Sequence, residues 1–221
     1  MAIRHTALSL ERPANALVFV VDDDESIRRS LVRLFRSAHL AVEAFPGARD
    51  FLAREPYDGP ACLVLDVRMP GLDGLELQRE LHSCDIPIVF ISGHGDVPMC
   101  ADAMKAGAVD FLTKPVDDED LLTAIYVALA RSTAMRKTRS EHTAARSLLD
   151  TLTPREFEVM QRVIAGRLNK QIADELGAAE KTIKIHRGRV MEKMSVHSVP
   201  ELVRIAQVAG VAPLSMQATP A

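Results

Sequence analysis

Four short apolar runs in the first half of this 221-residue chain each end in a polar residue. Val18-Phe19-Val20-Val21 runs into Asp22-Asp23, and Cys62-Leu63-Val64-Leu65 into Asp66. Ile88-Val89-Phe90-Ile91 runs into Ser92, and Val109-Asp110-Phe111-Leu112-Thr113 into Lys114. Short runs rich in Val and Ile, alternating with helix-like segments, predict strands of a parallel α/β sheet covered on both faces. Such sheets place ligands at the carboxyl ends of their strands. Asp22, Asp23, Asp66, the Ser92 hydroxyl and the Lys114 ammonium are therefore predicted to share one edge. Three carboxylates repel one another unless a cation joins them, and an oxygen-rich, partly hydrated site favours Mg²⁺.

The net charge of −3 averages two unlike parts. Residues 1–130 hold 12 Lys/Arg against 21 Asp/Glu, whereas residues 131–208 hold 15 against 9. An acidic part suits a cation and a basic part suits a polyanion, nucleic acid first. No stretch approaches the roughly 20 apolar residues of a membrane-spanning helix. Residues 1–16 include Arg4, His5, Glu11 and Arg12 and lack the apolar core of a secretion signal, so they are expected to form a flexible leader. The expectation is a cytoplasmic protein with no membrane partner. Cys62, Cys84 and Cys100 have no metal-ligand spacing and are expected to be free thiols. His82 and His94 pair with no nucleophile and are expected in loops or on the surface.

The β-α alternation repeats five times, which predicts a doubly wound sheet with flavodoxin-like strand order. Its helices are expected over Glu25–Ser37, from about Arg49, over Leu72–Leu81 and near Pro98–Lys105, with a second strand over Leu40–Ala44. The first domain is placed at residues 17–133. From Asp118 to about Ala145 the pattern is helical, first with Leu121, Leu122, Ile125 and Leu129 on one face, then polar. Loss of the apolar stripe marks residues 134–150 as a helical linker. Residues 151–208 carry four short helices and residues 209–221 a polar tail expected to be disordered. Thr153-Pro154-Arg155-Glu156 combines a capping box with proline at the first helical position. Asn169 is expected to cap Lys170–Leu176, which stops at Gly177. A third helix follows from Glu180 to about Met194, and Ser198-Val199-Pro200-Glu201 is a further capping box. Four helices with a tight glycine turn predict an all-α helix-turn-helix bundle.

Val20 to Glu25, Leu63 to Gly74, Ile91 to Asp96 and Asp110 to Pro115 together resemble a two-component receiver domain, over residues 17 to about 133. The resemblance implies that Asp66 accepts a phosphoryl group from a sensor histidine kinase. It implies that Asp22 and Asp23 form an acidic pocket, with Asp23, Asp66 and the Arg68 carbonyl holding Mg²⁺. Lys114 would pair with the phosphate. Ser92 and Phe111 would form the switch, Ser92 standing where threonine is frequent. An aspartyl-phosphate phosphatase is the enzymatic alternative, but Arg68 occupies the place of its usual second aspartate. A receiver that pairs with partners without being phosphorylated is the other alternative.

Residues 151 to about 208 resemble a LuxR-type DNA-binding domain, through Leu152 to Glu156, Gly166 to Ala173 and Lys181 to His186. With the receiver, this gives a FixJ/NarL-type response regulator. The resemblance implies binding to promoter DNA, contact with RNA polymerase and homodimer formation on phosphorylation. Successive residues of the third helix advance by 100°. Ile183, Val190 and Met194 then face inward and Lys181, Lys184, Ile185 and Gly188 outward. Lys184 is the strongest candidate for reading bases, while Lys170, Thr182, Arg187 and Arg189 suit phosphates. Gly188 stands where relatives often carry a long polar residue, and Ala179 where serine would cap the helix.

Overall fold

The computed structural model describes residues 15–81, 84, 86–93, 97–212 and 214. Tertiary contacts divide the chain at the Arg136–Lys137 bond into two compact units. In the first, β1 (Leu17–Val21), β2 (Ala41–Phe45), β3 (Ala61–Asp66), β4 (Ile88–Ser92) and β5 (Asp110–Thr113) alternate with α1 (Glu25–Ser37), α2 (Ala48–Leu52), α3 (Gly74–Glu80) and α4 (Val97–Lys105). Every pairing is parallel and the order is β2-β1-β3-β4-β5, the flavodoxin-like arrangement expected.

The two-residue pleat sends neighbouring side chains to opposite faces, so each strand feeds two cores. Phe19, Leu63, Leu65 and Phe90 join Phe51 and Leu77 on one face. Val18, Val20, Val64 and Ile91 join Phe35, Ile125 and Leu129 on the other. Each fully buried large side chain contributes about 1.5–3 kcal/mol relative to an exposed one. That is why β1 is wholly apolar and β3 and β4 are apolar until their last residues, Asp66 and Ser92.

Local chemistry sets the helix ends. Asp24 caps α1 by accepting the N–H groups of Ser26 and Ile27 at 2.7 and 3.3 Å. Asp73 and Glu76 form a reciprocal capping box, 2.7 and 3.0 Å, that starts α3 at Gly74 instead of Leu72. A Cβ on Gly74 would lie 2.3 Å from the Asp66 carbonyl oxygen, so only glycine lets α3 press against the end of β3.

Helix α5 runs unbroken from Asp118 to Leu149. The second unit adds α6 (Pro154–Ile164), α7 (Asn169–Leu176), α8 (Glu180–Lys193) and α9 (Val199–Val208). Val159, Met160, Val163, Ile172, Ile183, Val190, Met194 and Leu202 form its core. Three expected boundaries shift. Ala145 and Leu149 are buried in this core with Leu148 against it, so the expected linker regains an apolar face in its last turns. Ala209 is buried and Val211 packs beside it, which brings the start of the expected tail into the unit. Ala16, at the end of the expected leader, is buried in the first unit. Residues 1–14, most of the tail, His82, His94, Gly95 and Asp96 lie outside the described residues.

Among the described residues no helix is long and apolar enough to cross a membrane. Cys62, Cys84 and Cys100 are free thiols, and burial pushes the Cys62 pKa up.

Candidate functional site

Parallel register places Val21 opposite Leu65, so Asp22 and Asp66 leave adjacent strands side by side. Ser92, buried at the end of β4, accepts the Lys114 N–H through its carbonyl at 2.8 Å. The Lys114 Nζ then reaches both carboxylates, donating to Asp22 Oδ2 at 2.7 Å and to Asp66 Oδ1 at 2.8 Å. Asp22 is 0% and Asp66 5% exposed, so these are charges withdrawn from water. Their remaining oxygens are also engaged. Asp22 Oδ1 accepts the Asp24 N–H at 2.8 Å, and Asp66 Oδ2 accepts the Arg68 N–H at 3.0 Å.

Burial pushes the Asp66 carboxyl above the ordinary carboxylate range, against the opposing pull of Lys114. Burial would by itself lower the pKa of Lys114, but hydrogen bonds and charge from Asp22 and Asp66 hold it above its usual value. Two carboxylates and one ammonium leave one negative charge in excess.

The expected carboxylate trio does not form. Asp22 turns to Lys114 and the Asp24 N–H, while Asp23 is exposed. Among the described residues no three His, Cys, Asp or Glu side chains converge in a geometry for a metal ion. The donor chemistry nevertheless suits Mg²⁺. Asp23, Asp66 and the Arg68 carbonyl offer hard oxygens, and this ion keeps several waters and needs only one or two carboxylates.

Phe111 is half-buried against the first core, its ring centroid 6.0 Å from that of Phe90. Arg28 escaped the sequence reading. Its Nη1 donates to the Asp22 carbonyl at 2.7 Å, fixing the turn that carries Asp22 and Asp23. Its position one helical turn after the Asp24 cap was the available signal.

In the second unit, Ile183, Val190 and Met194 are fully buried. Lys181, Thr182, Lys184, Ile185, Gly188 and Arg189 are exposed on α8, and Lys170 on α7. Arg187 is half-buried and donates through Nη1 to Asn169 Oδ1 at 3.1 Å. This corrects one expectation. Asn169 does not cap α7, because Leu168 occupies the cap and its N–H is taken by Gln171 Oε1 at 2.9 Å. Arg187 joins α8 to α7 through its bond to Asn169. Ala179 caps α8 without a side-chain hydrogen bond, as its sequence implies. The Ser198 capping box is half formed: Ser198 Oγ accepts the Glu201 N–H at 3.4 Å, but Glu201 Oε2 accepts from the His197 N–H at 2.9 Å.

One buried acid fastens the bundle. Glu156 accepts from Lys193 Nζ at 2.6 Å and from the Thr153 N–H at 2.9 Å, and Lys193 also donates to the Thr151 carbonyl at 3.0 Å. The ammonium and the backbone donor hold the Glu156 pKa down to about 2.

Residues 18–126 match the response regulator receiver domain, and residues 150–206 match the bacterial regulatory proteins of the luxR family. The chain is a luxR-type response regulator. This response regulator is 50% identical to nodulation protein W of Bradyrhizobium diazoefficiens over 203 residues, 91% of this chain and 89% of that protein. It is 42% identical to the transcriptional regulatory protein FixJ of Azorhizobium caulinodans over 211 residues, 94% of this chain and 99% of that one. The solved structure of the response regulator StyR superposes with a TM-score of 0.79 at 48% identity, covering 88% of this chain and 99% of that one. The response regulator is thus a transcription factor built from a receiver and a DNA-binding unit. Its family acts by regulating transcription and not by substrate turnover, which removes the phosphatase alternative.

Proposed function

We propose that a phosphoryl group on Asp66, taken from a phosphohistidine of a sensor kinase, switches this response regulator in the cytoplasm. The switched form pairs as a homodimer, binds promoter DNA through α8 and engages RNA polymerase. The observation that carries the reading is Lys114 held between Asp22 and Asp66 at the carboxyl edge of the sheet.

A bound Mg²⁺, held by Asp23, Asp66 and the Arg68 carbonyl with Asp22 completing the acidic pocket, would offset repulsion between the carboxylate and the incoming phosphoryl group. An Asp66 oxygen attacks phosphorus, the P–N bond breaks with its electron pair passing to the imidazole, and an acyl phosphate remains. Both Asp66 oxygens carry one hydrogen bond before transfer, and each keeps a second lone pair. Lys114 can follow the negative charge onto the phosphate, because its ammonium sits on a flexible stem.

The product adds about 1.5 to 2 negative charges. The Ser92 hydroxyl donates to it and draws in the end of β4, and Phe111 turns into the space released. A bias of about 1–3 kcal/mol is enough for such a switch. Two DNA-binding units brought together multiply a modest single-site affinity. On each, Lys181, Lys184, Ile185 and Gly188 face base edges, while Lys170, Thr182 and Arg189 face phosphates.

Mass spectrometry after incubation with acetyl phosphate and Mg²⁺ tests the proposal. The wild-type chain should gain one labile phosphoryl group and dimerise in light scattering, and Asp66→Asn should do neither. Absence of the labile group from the wild type, or its retention by Asp66→Asn, would overturn it.

A further inference from the structure

The outward face of α8 has a gap. Gly188 lies inside a regular helix and is exposed, and a Cβ built on it would meet no heavy atom within 4 Å. It is not among the glycines with positive φ. Neither packing nor backbone geometry therefore asks for glycine here. Relative to alanine, glycine within a helix lowers the folding equilibrium by about two- to five-fold. A loss with no return inside the molecule points to something outside it.

One turn earlier stands Ile185, a large apolar side chain that is 50% exposed between the exposed cations Lys181, Lys184 and Arg189. Cations draw a polyanion, but nothing about a phosphate calls for isoleucine. The major groove has one apolar feature, the 5-methyl group of thymine. We propose that Gly188 and Ile185 form a notch for a thymine methyl group. The missing Cβ lets the helix backbone approach the base pair, Ile185 packs on the methyl, and Lys184 donates to a neighbouring base edge. This inference rests on the DNA-binding role proposed above.

The test uses the full-length protein, with and without acetyl phosphate and Mg²⁺, on a duplex enriched from a random pool. Each thymine is replaced singly by uracil, which keeps the pairing and removes the methyl. One position in each half-site should lose affinity about four-fold, the worth of one buried methyl. That loss should vanish in Ile185→Ala. Gly188→Ala should bind the enriched duplex about tenfold more weakly, while the thermal midpoint of its C-terminal unit rises, which separates lost recognition from lost folding. Uracil tolerated at every position, or Gly188→Ala binding as tightly as the wild type, would overturn the notch and assign the apolar patch to a protein surface. Failure to enrich any sequence would overturn the DNA-binding reading itself, and the notch with it.

Discussion

The two units hold their charges in opposite ways. In the receiver, Asp22 and Asp66 are withdrawn from water and share the half-buried Lys114 ammonium. In the DNA-binding unit, Lys170, Lys181, Lys184 and Arg189 stand in solvent. Partly buried pairs of this kind are screened by salt much less than exposed charges are. An exposed cationic face responds to any polyanion, and salt competes with it directly. The first arrangement suits a switch and the second suits a surface that the switch deploys.

Removing the central cation should break this contrast most severely. Lys114→Met leaves two buried carboxylates facing each other and should destabilise the receiver by about 3–5 kcal/mol in urea unfolding. Because the folded-state pKa of Asp66 is raised, its ionised form opposes folding, and this opposition is relieved as pH falls through that value. Acidification should therefore recover part of the loss in Lys114→Met. An unchanged midpoint at neutral pH would mean that the trio carries no net coupling.

The exposed face offers the next largest effect. Lys184→Ala should cost about 1–3 kcal/mol of specific binding and relax sequence preference, whereas Lys170→Ala should weaken all sequences alike and reduce the salt slope by about 1. Arg187→Gln, tied to Asn169, should leave that slope intact. A slope that falls for Arg187→Gln would place its guanidinium on a phosphate after all.

The missing cap predicts a smaller change with the opposite sign. Ala179→Ser should stabilise the DNA-binding unit by about 1 kcal/mol by giving α8 a side-chain acceptor, read as a higher thermal midpoint.

Glu156 is the exception to the exposed pattern of its unit, and pH isolates it. Its pKa is depressed, so its stabilising contribution is complete above the ordinary value of 4.5 and is lost as pH falls to about 2. Acid unfolding of the C-terminal unit should steepen over that interval, and Lys193→Met should flatten it. Equal slopes in the two proteins would remove Glu156 from the acid response.

The sheet, its order and the strand-end placement of Asp66, Ser92 and Lys114 were legible because they follow from apolar runs and a two-residue pleat. The inward and outward faces of α8 followed from its helical period. Side-chain partners distant in sequence were not legible. Nothing local to Asn169 distinguishes a cap from a partner for Arg187, eighteen residues away. Nor could spacing reveal that Lys114 would bridge Asp22 and Asp66. The end of α5 is hidden for a different reason: Ala145, Leu148 and Leu149 form an apolar face too short to register against the polar residues around it.

That shared helix governs how the molecule can be divided. A fragment starting at residue 150 keeps α6 through α9 yet forfeits the end of α5, with Ala145 and Leu149, which are buried in the same core. Biochemistry on the isolated C-terminal half should therefore begin at Lys137, where eight residues of solvated helix precede the first side chain that the bundle needs.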